Sequence, residues 1–467
     1  MMRRLTRFGL MRVLTLVLSI VGVVSIVGCK TANDTELTVG LYPYVPRLEQ
    51  FKTAIRTEWA KVQPTVSLKF ISPKEWDGGY KKDPPANADV YVFDAMFFEY
   101  FKSKDWLEPM QASEVKGLND FVKYAIDGVK VGEQYYAIPQ LGCANLLFYQ
   151  KDDTELANST TLSKINSVLS QCTYTSKIPP DRRGLMLDMA GGTTNAALYL
   201  DTAHSLTGKY PFPLPWNESQ INTTAMNNMR KLLVMASYEN GTASLSDPYE
   251  RAKWFSNGWG RAFIGYTESM SAMSKEMQQN IGFKVMPLSD DNNPPVFYAD
   301  VIAVNTTTQQ RGTRYLAVQL ANVMAASATM VASIGPDSDN PYPQYLMATR
   351  PSVFQTLASS FPLYQNMYNL ITDNTIMFNV SDQSRQWLDA MKNTISANAR
   401  QNYPCACDYP TSKRIPNNSA APPICEATCE DRGGWNGQWT NDPPAAPKGK
   451  SVCGCTACPV SSMSITK

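Results

Sequence analysis

Histidine is almost missing: the 467 residues contain one, His204. A Ser-His-Asp triad or a His-rich metal site has almost nothing to be built from. His204 sits in DTAHSL, on an expected helix, and is read as structural. An excess of charge is missing too. Lys and Arg number 43 against 41 Asp and Glu, a net +2 with no basic stripe, which argues against a nucleic-acid partner. Long apolar runs are scarce. Val13–Val27 is the one such run, 15 residues, short for a membrane span, and the rest of the chain is expected to be soluble. What is present describes a globular chain, 43% hydrophobic and 18% charged, long enough for two or three domains.

Arg3, Arg4, Arg7 and Arg12 precede the apolar run, so residues 1–28 read as a targeting segment. Ile26-Val27-Gly28-Cys29 has the form of a lipobox, in which Cys29 would carry a lipid anchor. An ordinary cleaved secretory signal is the rival expectation, and both export the protein. Seven of the ten cysteines lie in the tail: Cys405, Cys407, Cys425, Cys429, Cys453, Cys455 and Cys458. If Cys172 joins them, eight can form four disulfides and Cys143 stays free; the pairing could equally leave Cys172 free. The tail spacing could also hold zinc as thiolates, but export favours disulfides. Sequons at Asn33, Asn158, Asn217, Asn222, Asn240, Asn305, Asn379 and Asn417 suit a secreted glycoprotein.

Strands are expected at Glu36–Leu41, Val66–Ile71 and Ala88–Phe93, with a helix over Leu48–Val62 whose apolar positions share one face. Asp94 stands at the end of the third strand. Helices are expected over Phe97–Lys104 and Ala112–Ala125, then a hairpin over Val129–Ile138 that Pro139 ends. Cys143 follows, before the apolar run Leu146–Tyr149. A lone Cys in such a run is ordinarily an inert hydrophobe. A second α/β run continues through Leu185–Met189, a Gly191-Gly192 turn and further helices, one beginning at Ser269 beside Glu268. Val296–Val304 is an apolar strand carrying Asp300, an acid that is costly there unless paired or bound. Helices close the body at Tyr315–Ser333, Val353–Ala358 and Asp382–Ala397.

Two α/β lobes joined by crossings near Ala137–Ala144 and Ala299–Asn305 point to a two-lobed, periplasmic solute-binding-protein-like clamshell of type II. Cys143 and Asp300 would meet at its hinge. The expected division is lobe 1 over 36–141 and 301–340, and lobe 2 over 142–300 and 341–400. Residues 401–467, rich in Pro, Gly and Cys, form a small disulfide-rich appendage.

Several stretches together resemble thiaminase I, the thiamine pyridinylases. They are Pro139–Tyr149 (PQLGCANLLFY), Tyr42–Pro46 (YPYVP), Met189–Thr194 (MAGGTT), Gly260–Met270 (GRAFIGYTESM), Phe297–Val301 (FYADV), Leu320–Ala325 (LANVMA) and Tyr342–Leu346 (YPQYL). The likeness runs in order over roughly residues 36–400. It implies the clamshell fold, with Cys143 as nucleophile and Glu268 as the base that activates it and later the acid. Asp94 and Asp300 would bond the aminopyrimidine, and Tyr42, Tyr80, Tyr249, Tyr266 and Tyr298 would line the cleft. The loop Trp76–Tyr80 (WDGGY) is longer than in the family pattern, and the Cys-rich tail has no family counterpart.

The implied reaction adds a thiolate to a pyrimidine ring carbon of thiamine, expels the thiazole and passes the pyrimidine-methyl group to an amine, pyridine-type base or thiol. No metal or organic cofactor is called for, no protein partner is implied and a monomer is expected. With no His at hand, a carboxylate is the natural activator of a thiol that is mostly protonated at neutral pH. A Tyr- and Asp-lined cleft suits the cationic thiazolium. Two rivals stand beside this reading: an extracellular thiamine or pyrimidine solute-binding protein without catalysis, and a hydrolase using water as acceptor.

Overall fold

The computed structural model describes residues 35–169, 184–236, 241–400, 408–441 and 449–455. The expected targeting segment, Cys29, Asn33, Cys172, Asn240, Cys405, Cys407 and Cys458 lie outside the described residues.

The described residues begin with β1 (Glu36–Gly40), an amphipathic helix Leu48–Val62, β2 (Ser67–Phe70) and β3 (Val90–Asp94). β1 lies parallel to both β2 and β3, as β-α-β connections require. Small antiparallel strands follow: β4 (Met110–Gln111), β5 (Lys130–Val131) and β6 (Gln134–Tyr135). The single helix expected over Ala112–Ala125 is two 3-10 turns and a short helix Lys123–Gly128. Gly117, at φ 65°, breaks the run in a conformation that side chains resist.

β7 (Ile138–Cys143) corrects the reading of Pro139 as a strand terminator. Proline is tolerated inside this strand because the ladder with β12 (Val296–Val304) bulges there. Asp300 pairs with Leu141 and Val301 with Pro139, leaving Gln140 unmatched. β12 also pairs antiparallel with β3, and β13 (Met347–Ala348) and β14 (Ile376–Met377) extend the sheet to seven strands.

A second sheet is built from β8 (Leu146–Gln150), β9 (Leu185–Met186), β10 (Ala262–Gly265) and β11 (Ile281–Val285), in the order β11-β8-β10-β9. Helices Gly192–Thr207, Thr223–Ala236 and Ser384–Arg400 pack on one another beside it. The pairing divides the chain differently from the expected lobe boundaries. β12 is one ladder from Val296 to Val304 and cannot be cut at Asp300. Residues 347–377 carry β13 and β14 into the first sheet, and only the helix Ser384–Arg400 joins the second set. The long helix expected at Tyr315–Ser333 is two, Arg314–Met324 and Ser327–Ile334, because Ala326 is extended. The helix expected from Ser269 is a 3-10 segment, Thr267–Ala272, followed by a short helix Lys275–Asn280.

The tail has its own small core. β15 (Asp408–Pro410), β16 (Trp435–Thr440) and β17 (Val452–Cys455) form a sheet against helix Ala421–Cys429. Disulfides Cys425–Cys453 and Cys429–Cys455 tie helix to sheet, and Cys143 is free. These four tail cysteines are therefore bridged and not zinc thiolates. His204 is structural as expected: its ring nitrogens lie 3.1 Å from the Lys209 carbonyl and 3.2 Å from that of Pro294. Asn305 is buried, with its amide donating to the Pro85 carbonyl, so that sequon has no room for a glycan.

Candidate active site

Strand periodicity assembles the centre of the site. Residues opposite one another in a ladder share a face, as do alternate residues along a strand. Cys143 is opposite Tyr298, and Asp300 is opposite both Leu141 and Asp94. Cys143, Tyr298, Asp300 and Asp94 therefore emerge on one face. The burial of β12 agrees: Tyr298 and Asp300 are partly exposed, while Phe297, Ala299 and Val301 are buried. The β7–β12 meeting thus brings Cys143 and Asp300 together where the sequence placed the hinge.

One rim comes from the Tyr42–Pro46 turn and the Trp76–Tyr80 loop. The Tyr80 hydroxyl donates to Asp94 Oδ2 at 2.6 Å, and Tyr42 lies 3.3 Å from the Tyr80 oxygen. The other Asp94 oxygen accepts from the Met96 amide at 2.9 Å. Gly78 and Gly79 have φ of 76° and 99°, and a Cβ on Gly78 would come within 2.6 Å of the Tyr42 ring. The glycines of this loop are thus what let Tyr42 and Tyr80 approach. Arg385, which sequence reasoning did not single out, grips the same loop: its Nε donates to the Gly79 carbonyl at 2.7 Å and a terminal nitrogen to that of Lys82 at 2.5 Å.

The opposite rim comes from the second sheet. Tyr266 and Glu268 lie where β10 runs into the Thr267–Ala272 segment, and Tyr249 caps helix Glu250–Ser256. Gln278 pins this segment by donating to the Met270 and Met273 carbonyls at 2.9 and 3.2 Å, and itself accepts from the Tyr345 hydroxyl at 2.9 Å. The Tyr266 ring meets Tyr298 edge-on, with centroids 6.5 Å apart. Burial raises Tyr249 and Tyr266, and the nearby charges of Cys143 and Glu268 raise both further.

The electrostatics are one-sided. Burial pushes the Glu268 carboxyl up to about 7. Asp300 is held well above the usual carboxylate range by burial, then by Asp94 and Glu268. Burial also raises Asp94, against its bonds from Tyr80 and Met96. The Cys143 thiol is pushed well up by burial first, then by Glu268, Asp300 and Asp94. The site therefore resists negative charge.

Four further neighbours escaped sequence reasoning. Asn145 lies two residues beyond Cys143 and bonds Asp201 on the helix Gly192–Thr207. Phe378 stacks tilted on Tyr298 at 4.6 Å. Tyr124 is buried against Gly142, and among the described residues its hydroxyl has no partner. Asp201 carried a readable signal, being an acid among apolar helix neighbours; Phe378 and Tyr124 carried none.

Comparison with known proteins bears on what this geometry serves. The family model described as Thiaminase-1 domain matches residues 144–289. That span holds Glu268, Tyr249 and Tyr266 and begins one residue after Cys143. Thiaminase-1 of Paenibacillus thiaminolyticus is 33% identical over 368 residues, 78% of this chain and 88% of that protein. The chain belongs to the thiaminase I family. Clostridium botulinum thiaminase I in complex with thiamin superposes with a TM-score of 0.74 at 35% identity, covering 78% of this chain and all of that one. Maltose-bound MalE3 of T. maritima superposes at 0.59 with 15% identity over 79% of this chain, which places the thiaminase I body in the type II periplasmic-binding fold. The tail matches separately: the family model described as Mannan-binding protein covers residues 418–455.

Proposed function

We propose that this thiamine-degrading enzyme works as a pyridinylase, with Cys143 as nucleophile and Glu268 as its base. The observation that carries the reading is a free thiol ringed by Glu268, Asp300 and Asp94, whose charges all oppose its ionisation. Thiamine brings a cationic thiazolium into that field. The cation offsets the carboxylates, and Glu268, poised near 7, takes the Cys143 proton. The thiolate then forms an S–C bond to a pyrimidine ring carbon, and the ring electrons move onto a ring nitrogen beside Asp94 or Asp300. Breaking of the methylene–thiazole bond returns those electrons and releases the thiazole with its electron pair. An amine, pyridine-type base or thiol adds to the methylene, the Cys143 bond opens with its sulfur taking back the proton held by Glu268, and any proton the nucleophile carries then passes to the freed Glu268 carboxylate. Tyr42, Tyr80, Tyr249, Tyr266 and Tyr298 supply the aromatic walls. The protein acts as an exported monomer.

The test is mass spectrometry after incubation with thiamine and no added nucleophile. The expected result is a gain of the pyrimidine-methyl fragment on the peptide holding Cys143. Thiamine bound intact over an unmodified Cys143 would leave a solute-binding protein on this scaffold.

A second reading concerns the tail. Its match to a mannan-binding family, together with a disulfide-tied sheet built apart from the catalytic core, supports a carbohydrate-binding module that holds the enzyme on mannose-rich polymers. Retention of the full chain on immobilised mannan, released by soluble mannan, is the expected behaviour; passage straight through the column would end this reading.

A further inference from the structure

Asp201 is a buried acid, 7% exposed, that the mechanism above does not use. Its Oδ2 accepts from Asn145 Nδ2 at 2.7 Å. The same Nδ2 lies 3.2 Å from the Tyr298 phenol oxygen. Tyr298 stands opposite Cys143 in the ladder, and the Asn145 backbone is tied by its carbonyl to the Met286 amide at 2.8 Å. Phe378 and Tyr266 hold the Tyr298 ring from two sides. The three polar groups thus form a chain that starts inside a helix and ends beside the nucleophile.

The chemistry of the groups gives this chain a direction. Burial pushes the Asp201 carboxyl up to about 7; above that pH it is ionised and only accepts, whereas an amide can present either its N–H pair or its oxygen. Asp201 therefore selects the orientation in which Asn145 turns Nδ2 toward it. That orientation aims the second N–H at the Tyr298 oxygen and occupies one of its lone pairs. The Tyr298 proton then has no use for Asn145 and is free to point into the cleft. Without the carboxylate the amide can turn over. Its oxygen would then take the Tyr298 proton, and the ligand would meet an acceptor where it had met a donor.

We propose that Asp201, acting through Asn145, fixes Tyr298 as a hydrogen-bond donor to an acceptor atom of the substrate bound beside Cys143. The proposal rests on the site reading given above, and it makes Asp201 and Asn145 positioning residues. The acceptor class is a neutral lone pair, such as a pyrimidine ring nitrogen or a hydroxyl oxygen of thiamine.

A double-mutant cycle tests this on the full-length chain. Tyr298→Phe removes the donor, and Asp201→Asn keeps size while allowing the amide to flip. Each single change is expected to lower kcat/KM on the order of tenfold, what one hydrogen bond is worth. If the donor lowers the barrier, the loss falls in kcat; if it only holds substrate, in KM. The double variant is expected to be no worse than Tyr298→Phe alone, because Asp201 acts only through that hydroxyl. Additive losses, or an Asp201→Asn enzyme as active as the parent, would overturn the proposal. Should Asp201→Asn fail to fold, Asn145→Ala replaces it in the cycle and is read in the same way. The adduct experiment separates the two levels. A parent enzyme that forms no Cys143 adduct sinks the site reading, whereas one that forms it and shows an additive cycle sinks only the role of Asp201.

Discussion

Cysteine serves opposite ends in the two parts of this chain. In the tail, Cys425 and Cys429 face Cys453 and Cys455 and are consumed in bridges, fully buried with Ile415 and Ala421 in a core of a few residues. In the body, Cys143 is free, partly exposed and set among carboxyls. Among the described residues the body holds no disulfide, and its core runs continuously from Leu37 to Ala399. The tail cannot bury enough apolar surface to hold itself and takes its order from covalent bonds. Stability from a large core is what allows the body to carry acids and a thiol in a setting that favours none of them ionised.

The sharpest way to break that comparison is at the carboxyl facing the thiol. Glu268→Gln keeps shape and removes the base. Turnover should fall by about 10²–10⁴-fold, the range for losing a general acid–base group, measured as thiazole release under saturating thiamine and acceptor. A variant within a few-fold of the parent would mean that Cys143 is activated without Glu268, and the acid-ringed thiol would lose its meaning.

Much of this centre was legible in the sequence. Asp300 stood out because an acid in an apolar strand needs a reason, and β12 supplies one by turning it to the cleft. The register between β7 and β12 was not legible. It depends on a bulge at Gln140 that pattern alone does not reveal, and Pro139 was accordingly misread as a strand end. The assignment of residues 347–377 was hidden as well, because strands of two residues leave no period to read. Asp201 was missed although it met the test applied to Asp300, since helix burial on all sides hides which face looks toward the cleft. The tail's disulfide class was readable from the expected export and from spacing, but its pairing was not, because helix Ala421–Cys429 sets which cysteines meet which strand.

The covalent half of the comparison is sharpened by opening one bridge. Replacing Cys429 and Cys455 by Ser together should lower tail stability by ~3–4 kcal/mol, the loop-closure value for a bridge of this span. Retention on mannan should weaken while thiazole release stays at the parental rate, since none of the described tail residues takes part in the site. A matching loss of turnover would show that body and tail are energetically one unit and that the contrast is misplaced.

The smallest effect concerns what the body gives up to hold its acids. Glu268 is raised from 4.5 to about 7 by burial, so the folded chain keeps a proton that the unfolded chain releases. Its contribution is intact below pH 4.5 and is lost as pH rises through 7. The shift corresponds to about 3 kcal/mol at most. Glu268→Gln should therefore melt with the parent near pH 5 and several degrees above it at pH 8.5, by differential scanning calorimetry of the ligand-free protein. Asp94, Asp300 and Asp201 are raised in the same direction, so the parent itself should lose stability over this range. Thiamine should restore more of it at the higher pH, because its cation offsets charges that are fully present only there. A melting gap that does not change with pH would mean that Glu268 is solvated, and a solvated carboxylate would have no reason to take a proton from a thiol.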